Sequence, residues 1–226
     1  MPFDPETAQS PQLYCFPTPI PYQAQYASPE LIHDYIYAGF DGRDDPRWHE
    51  FGSEDPAEYD FWCRRSCGIA CLKMAIEALA PPQQPLTMME LLRQGLELGG
   101  YRVHDEQGRL VDLGWYYKPL VELGQRYGLN SSVCRTLTLE ELCQRIRWGE
   151  LIIASVSPKI GGREEDIPRR GGHLVLVHGI EWEGETCKSL LLHNPSGRYE
   201  DLRAGAKIPY ERFAAAFAGR GIRIIG

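Results

Sequence analysis

Up to about residue 148 the apolar positions recur at three- and four-residue steps, and beyond it they run together or alternate. That change of period is the strongest fold signal in the chain, because a helix buries a stripe and a strand buries a face. From Ser66 to Leu79 the stripe Ile69, Leu72, Ile76 and Leu79 predicts a helix, with Ser66 as its cap and Pro81-Pro82 as its stop. Thr87-x-x-Glu90 and Thr138-x-x-Glu141 read as capping boxes, opening helices to about Leu98 and to just before Gly149. A further helix is expected from near Trp115 to Tyr127, closed by Gly128. Leu151–Val156, Leu174–Ile180, Leu190–His193 and Gly221–Ile225 read as strands. Helices early and strands late predict an α+β fold, N-terminal helices packed on a C-terminal antiparallel sheet.

The first 60 residues follow another pattern. Prolines at 2, 5, 11, 17, 19, 21 and 29 alternate with Tyr14, Phe16, Tyr22 and Tyr26. Such density excludes a helix or a central strand, and the aromatics predict an extended arm lying on the body. Ser28-Pro29-Glu30 reads as cap, first helical residue and first-turn acid of a short helix ending at Gly39. Residues 41–60 are acidic and turn-rich, a loop. The expected division is an arm and loop over 1–60 and a catalytic domain over 61–226.

Composition narrows the function classes. The chain has 226 residues with a formal charge of −7, which disfavours non-specific binding to nucleic acid or an anionic membrane. The N-terminus lacks the basic start and apolar core of a secretory signal, and no apolar run approaches the ~20 residues of a membrane span. A cytoplasmic address is expected. Seven cysteines without a CxxC pair read as reduced thiols, Cys71 and Cys143 at helical core spacing. Cys63, Cys67 and Cys71 recur every four residues and would share one helical face, but a zinc site needs a fourth ligand, so no metal or other cofactor is expected.

The chemistry centres on Cys67. Following a cap, it sits in the first turn of a buried helix, where unpaired N–H groups favour thiolate and could hold an oxyanion. Gly68 after it permits close approach by a substrate or neighbouring strand. His173 opens an apolar strand after Gly171-Gly172, at the rim of a sheet. Alternation sends His173, Val175 and Val177 to one face and Leu174, Leu176 and His178 to the other, so His178 reads as a satisfied sheet histidine unless a bulge intervenes. If strands 173–180 and 187–193 pair antiparallel, Asn194 falls beside His173, where its amide oxygen can fix the imidazole tautomer. In NPSG, Asn194 reads equally as a turn residue. His193 points away from it.

Taken together, SCGIACLKM, GGHLVLVHGIEW and LLHNPSG resemble the bacterial papain-like cysteine peptidases related to the bacteriocin leader-processing (double-glycine) group. The resemblance covers roughly residues 60–225, and GWYYKPLVELGQRYGL is similar to the helix these proteins place between the halves of the site. It implies a papain-like fold, Cys67 as nucleophile with Cys71 structural, His173 as base and Asn194 as its orienting partner. It also implies a peptide or small amide substrate. Without an ATP-binding or membrane segment, the chain reads as a stand-alone relative of the exporters that often embed such peptidases. One position departs from the family. The glutamine usually found six residues before the nucleophile is Phe61, leaving Trp62 or Arg64 as candidate oxyanion donors. Losing such a donor costs about 3 kcal/mol of transition-state stabilisation. The leading expectation is hydrolysis through a Cys67 acyl-enzyme. The alternatives are acyl or peptidyl transfer by the same triad, or a non-catalytic peptide-binding module retaining the fold.

Overall fold

The most apolar stretch of the chain organises the sheet. Glu150–Val156 (β3) is buried at every position, which requires cover on both faces. A computed structural model, describing residues 10–105 and 107–226, shows that cover. Leu151 and Ile153 of β3, Leu174 and Leu176 of His173–Glu183 (β4), and Ile222 and Ile224 of Phe217–Ile225 (β7) join one core. Ile152, Ala154, Val156, Val175 and Val177 join a second on the other side. The remaining strands are Gln12–Cys15 (β1), Asn130–Cys134 (β2), Thr186–His193 (β5) and Ala206–Pro209 (β6). The seven-stranded sheet runs β2-β7-β3-β4-β5-β6, with β1 added to β4 and every pairing antiparallel.

Helices Pro56–Cys63 (α1), Cys67–Leu79 (α2), Met88–Glu97 (α3) and Tyr117–Arg126 (α4) fill the first core. Leu139–Arg147 (α5) and Tyr210–Ala216 (α6) cover the second. In α2 every residue from Gly68 to Ile76 is buried, including Lys73, whose ammonium is paired with Glu77, so it is a core helix. Each fully buried Leu or Ile along it contributes about 1.5–3 kcal/mol of transfer free energy. Both expected capping boxes form, Thr87 with Glu90 and Thr138 with Glu141.

Four local expectations need correction. The Ser66 hydroxyl does not cap α2 but donates to the Trp62 carbonyl at 2.6 Å, binding α2's start to the end of α1. Ser28 likewise caps nothing; it donates to Asp45 Oδ1 at 2.6 Å. The segment it opens is a 3-10 turn at Pro29–Leu31 followed by a π-turn at Asp34–Ala38, though Gly39 ends it in the left-handed region as expected (φ 69°). The 41–60 loop contains most of α1, capped by Asp55, whose carboxylate accepts from the amides of Ala57 and Glu58.

The proline-rich segment runs along the sheet's end. Of its seven prolines, Pro2 and Pro5 lie outside the described residues. Phe16 N–H bonds the His178 carbonyl at 2.8 Å and Gln25 N–H the Pro195 carbonyl at 2.9 Å. The Tyr22 hydroxyl donates to the Asn194 carbonyl at 3.0 Å, and Gln25 Nε2 to the Cys63 carbonyl at 2.8 Å. Further on, the buried Asp45 carboxylate accepts from Ser28, Tyr35, Tyr59 and the Arg47 amide. Burial alone would raise its pKa, and those four donors outweigh the burial and hold it below the ordinary range. Tyr26, Ile32, Tyr35 and Tyr59 share one core with α2 and α3.

Candidate active site

The turn between α1 and α2 is locked from both sides. The Trp115 indole donates to the Arg65 carbonyl at 2.8 Å, beside the Ser66 contact to Trp62. Cys67 therefore enters α2 at a fixed place, where the backbone N–H groups of Leu174, Gly68 and Cys67 itself bear on the ionisation of its thiol. Those donors favour the thiolate, but burial of the sulfur outweighs them and pushes the thiol up to about 11. The amides at the helix N-terminus act in the expected direction, toward thiolate, and burial is the larger effect. No Cβ would fit at Gly68 without pressing Leu174, Leu120 and Trp115, at 3.0–3.2 Å. It is protein side chains that use the space there.

His173 begins β4 directly after Gly171 and Gly172, both left-handed (φ 79° and 96°). Antiparallel pairing sets His173 opposite Val156 of β3 and brings the end of β5 alongside, His193 opposite Leu176. Asn194, one residue past β5, then meets the ring, with His173 Nε2 2.8 Å from Asn194 Oδ1. The Ser196 amide, which can only donate, reaches the same Oδ1 at 3.1 Å and so identifies it as the oxygen. The proton between ring and amide must therefore sit on His173 Nε2, leaving the Nδ1 lone pair as the base. Ser196 Oγ stands 3.1 Å from Nε2 as a second partner. Burial pushes the ring down to about 4, opposed by the Asn194 bond and assisted by the nearby Arg198 charge, so the imidazole is neutral at pH 7.

Asn194 is itself held rigidly. Its N–H bonds the Arg203 carbonyl at 2.9 Å, its carbonyl takes the Tyr22 hydroxyl, and it is fully buried. Gly161 leaves it room: a Cβ there would lie 2.7 Å from Asn194 Nδ2 and 2.8 Å from Arg198 Nη1.

Cys67 and His173 line one cleft of about 820 Å³, walled by Tyr101, Trp115 and Leu174. The other sequence candidates lie elsewhere. Trp62 is buried in an aromatic ladder with Phe61 and Tyr101 and does not line the cleft. Arg64 borders it, but its guanidinium is engaged by Asp60 and the Phe40 carbonyl. His193 uses both ring nitrogens, one to the Ile20 carbonyl at 3.0 Å and one from the Gly205 amide at 2.9 Å. The bulge that alternation left open does occur: the β4–β5 register shifts between Val177 and Gly179, at His178. His178 packs tilted against His193, ring centroids 4.5 Å apart, and its buried Nε2 has no partner among the described residues, so it is not the satisfied histidine expected. Cys63 closes α1 while Cys67 and Cys71 belong to α2, so the three thiols do not share one helical face. Among the described residues no group of three or more metal-ligating side chains is gathered. Ser196 carried no signal of its own in the sequence, since in NPSG only Asn194 stood out as a site residue.

This is the architecture of a papain-like cysteine peptidase: a cysteine opening a core helix and a histidine opening a strand of the antiparallel sheet, both lining one cleft, with no hydrogen bond joining them. The sequence matches the family described as Peptidase_C39 like family over residues 19–220, and the chain belongs to that family. A solved putative C39-like peptidase from Bacillus anthracis shares the fold at TM-score 0.50 and 18% identity, covering 72% of this chain and 89% of that one. The peptidase domain of Streptococcus ComA, a bifunctional ABC transporter of a quorum-sensing pathway, gives 0.45 and 15%, covering 70% and 90%. A double-glycine motif protease from an AMS/PCAT transporter, solved with its leader peptide, gives 0.43 and 16%, covering 71% and 85%. No curated protein matches the chain. No helix among the described residues is long and apolar enough to cross a membrane.

Proposed function

We propose that the chain hydrolyses a peptide or amide bond with Cys67 as nucleophile, His173 as base and Asn194 as the group that orients the base. The observation that carries this reading is the 2.8 Å contact of His173 Nε2 with Asn194 Oδ1, in the wall of the cleft that Cys67 lines. With Nε2 holding its proton, Nδ1 takes the thiol proton as sulfur attacks the acyl carbon, and then delivers it to the departing amine. Water, deprotonated by the same nitrogen, cleaves the thioester and restores the thiol. Because both groups are neutral at rest, proton transfer accompanies attack. For the oxyanion we favour the amides of Cys67 and Gly68 over the sequence candidates, since Trp62 does not line the cleft and the Arg64 guanidinium is engaged by Asp60 and the Phe40 carbonyl.

A second reading, a non-catalytic peptide-binding module, draws support from Phe61 in the glutamine's place and from the raised thiol pKa. A peptide-aldehyde or vinyl-sulfone probe series followed by mass spectrometry separates the two. The hydrolase reading expects modification confined to Cys67 among the seven cysteines and lost in His173→Ala. Modification no faster at Cys67 than at exposed Cys15 would leave only the binding module.

A further inference from the structure

The cleft has the opposite charge to the chain. The protein carries 31 acidic against 24 Lys and Arg residues, yet Arg64, Arg65, Lys118, Arg135, Arg169 and Arg220 line the cleft against Asp112 alone. Arg64 is taken by Asp60, and Arg65 stands 3.5 Å from Asp112. Lys118, Arg135, Arg169 and Arg220 are exposed and have no carboxylate within ion-pair distance among the described residues. Two of them flank the base. A Cβ on Gly172 would lie 3.5 Å from Arg169 Nη2, and one on Gly171 3.5 Å from Arg220 Nη2. The lip opposite is apolar: Leu113 is 70% exposed and Tyr116 38% exposed, both facing the cleft.

Four unneutralised cations in one concavity act together, since charges within the ~8–10 Å screening length at physiological salt are felt jointly and a cleft focuses their field. Guanidinium groups also match carboxylates in a two-pronged geometry. We propose that the cleft selects an acidic peptide segment, with carboxylate side chains flanking the scissile bond held by Arg135, Arg169, Arg220 and Lys118, and an apolar residue on Leu113 and Tyr116. This rests on the hydrolase reading for the position of the scissile bond. A nucleic acid is the lesser match, because it would offer no acyl centre to Cys67, and it would extend past the cleft over an acidic surface.

The test uses the full-length Cys67→Ala protein and two labelled peptide pools that differ only in Glu for Gln at alternate positions. Anisotropy at low and physiological salt should show the Glu pool binding about tenfold more tightly, less so as salt rises. The triple change R135Q/R169Q/R220Q should remove the difference, and R169Q alone, in an exposed loop, should reduce it by about threefold. Equal binding of the two pools, or a Glu preference that survives the triple change, overturns the proposal. So does a short oligonucleotide that binds as tightly as the Glu pool. Turnover is read separately with wild-type protein. If the Glu pool binds selectively but is never cleaved, the acidic cleft stands and the hydrolase reading fails. Cleavage of both pools at equal kcat/KM fails the cleft and keeps the hydrolase.

Discussion

Asn194→Ala removes the acceptor that fixes the base while leaving nucleophile and base in place. Asn194 Oδ1 accepts from His173 Nε2 at 2.8 Å and from the Ser196 amide at 3.1 Å, all three residues being buried. A buried donor left without an acceptor costs about 1–3 kcal/mol, but Ser196 Oγ, 3.1 Å from the same ring nitrogen, can take the His173 proton in part. The penalty for the ring then falls to about 1–2 kcal/mol, felt as loss of the productive tautomer and angle. At about 1.4 kcal/mol per tenfold, kcat/KM drops by roughly 5- to 30-fold. Asn194→Asp restores an acceptor and adds a charge, so it should recover orientation while raising the His173 pKa from about 4. Activity should then weaken toward acid pH as the base becomes protonated at higher pH than before. The assay is kcat/KM on a cleaved peptide across pH, with Cys67 alkylation rates by mass spectrometry and melting temperature in parallel. Adding Ser196→Ala to Asn194→Ala should cost more than the two single changes summed, as expected where one group stands in for another. If Asn194→Ala keeps both rates within twofold of wild type while His173→Ala abolishes them, the orienting role assigned to Asn194 is wrong.

The same geometry makes Gly161 a remote control on the base. Gly161→Ala should push Asn194 or Arg198 aside and lower kcat/KM by about tenfold, with Nε2 titration shifted in NMR; unchanged kinetics would mean that the site repacks freely. Iodoacetamide alkylation of wild-type Cys67 should climb toward pH 11 instead of reaching a plateau near neutrality, because burial sets the thiol near 11 and the ring near 4; a flat rate between pH 5 and 8 would indicate an ion pair in place of the neutral one. Acid should also destabilise the fold. His173 and His178 both lie near 4, below their ordinary 6.5, so their contribution is present above about 6.5 and is lost as pH falls toward 4, about 3 kcal/mol for each ring. Asp45, held below its ordinary value, loses its contribution in the same direction at lower pH still, so a melting temperature that holds steady from pH 7 to 4 would contradict these assignments.

What the sequence made legible was periodic or local. Helix α2 and strand β3 are so apolar that their type and burial follow from pattern alone, and the two capping boxes are reciprocal contacts within four residues of each other. The proximity of His173 and Asn194 was also legible, because antiparallel pairing of consecutive strands places one strand's start by the next one's end. Three kinds of information were not. β1 and β6 are four-residue edge strands, too short to show alternation, and pair only through tertiary contact. Ser28 and Ser66 looked like helix caps because capping chemistry is local, yet the Ser28 hydroxyl serves Asp45, which folding brings up, and Ser66 bonds back to the Trp62 carbonyl four residues earlier, a local alternative to capping. The charge of the cleft was hidden as well. Lys118, Arg135, Arg169 and Arg220 are scattered over a hundred residues of an acidic chain and become one patch only through the order of the sheet.

The raised thiol and the absent glutamine bear on one physical question, which is where charge is stabilised during catalysis. A resting ion pair would need the cleft to solvate thiolate and imidazolium at once, and the burial that moves Cys67 to about 11 and His173 to about 4 opposes both charges. A neutral pair escapes that penalty until the substrate carbonyl arrives, when negative charge passes from sulfur to the carbonyl oxygen. In the proposed mechanism the amides of Cys67 and Gly68, which favour negative charge on the sulfur, would then hold that charge on oxygen. Phe61, which occupies the glutamine's place, instead lies under the Arg65 guanidinium at 4.1 Å and helps hold that cation at the cleft's edge. Arg65 also stands 3.5 Å from Asp112, so its charge is offset there and the oxyanion is left to the amides. Arg65→Gln, measured on a neutral peptide so that substrate carboxylates play no part, should accordingly leave kcat within about twofold of wild type. A roughly tenfold fall in kcat with KM unchanged would place Arg65 in transition-state stabilisation and refute that assignment.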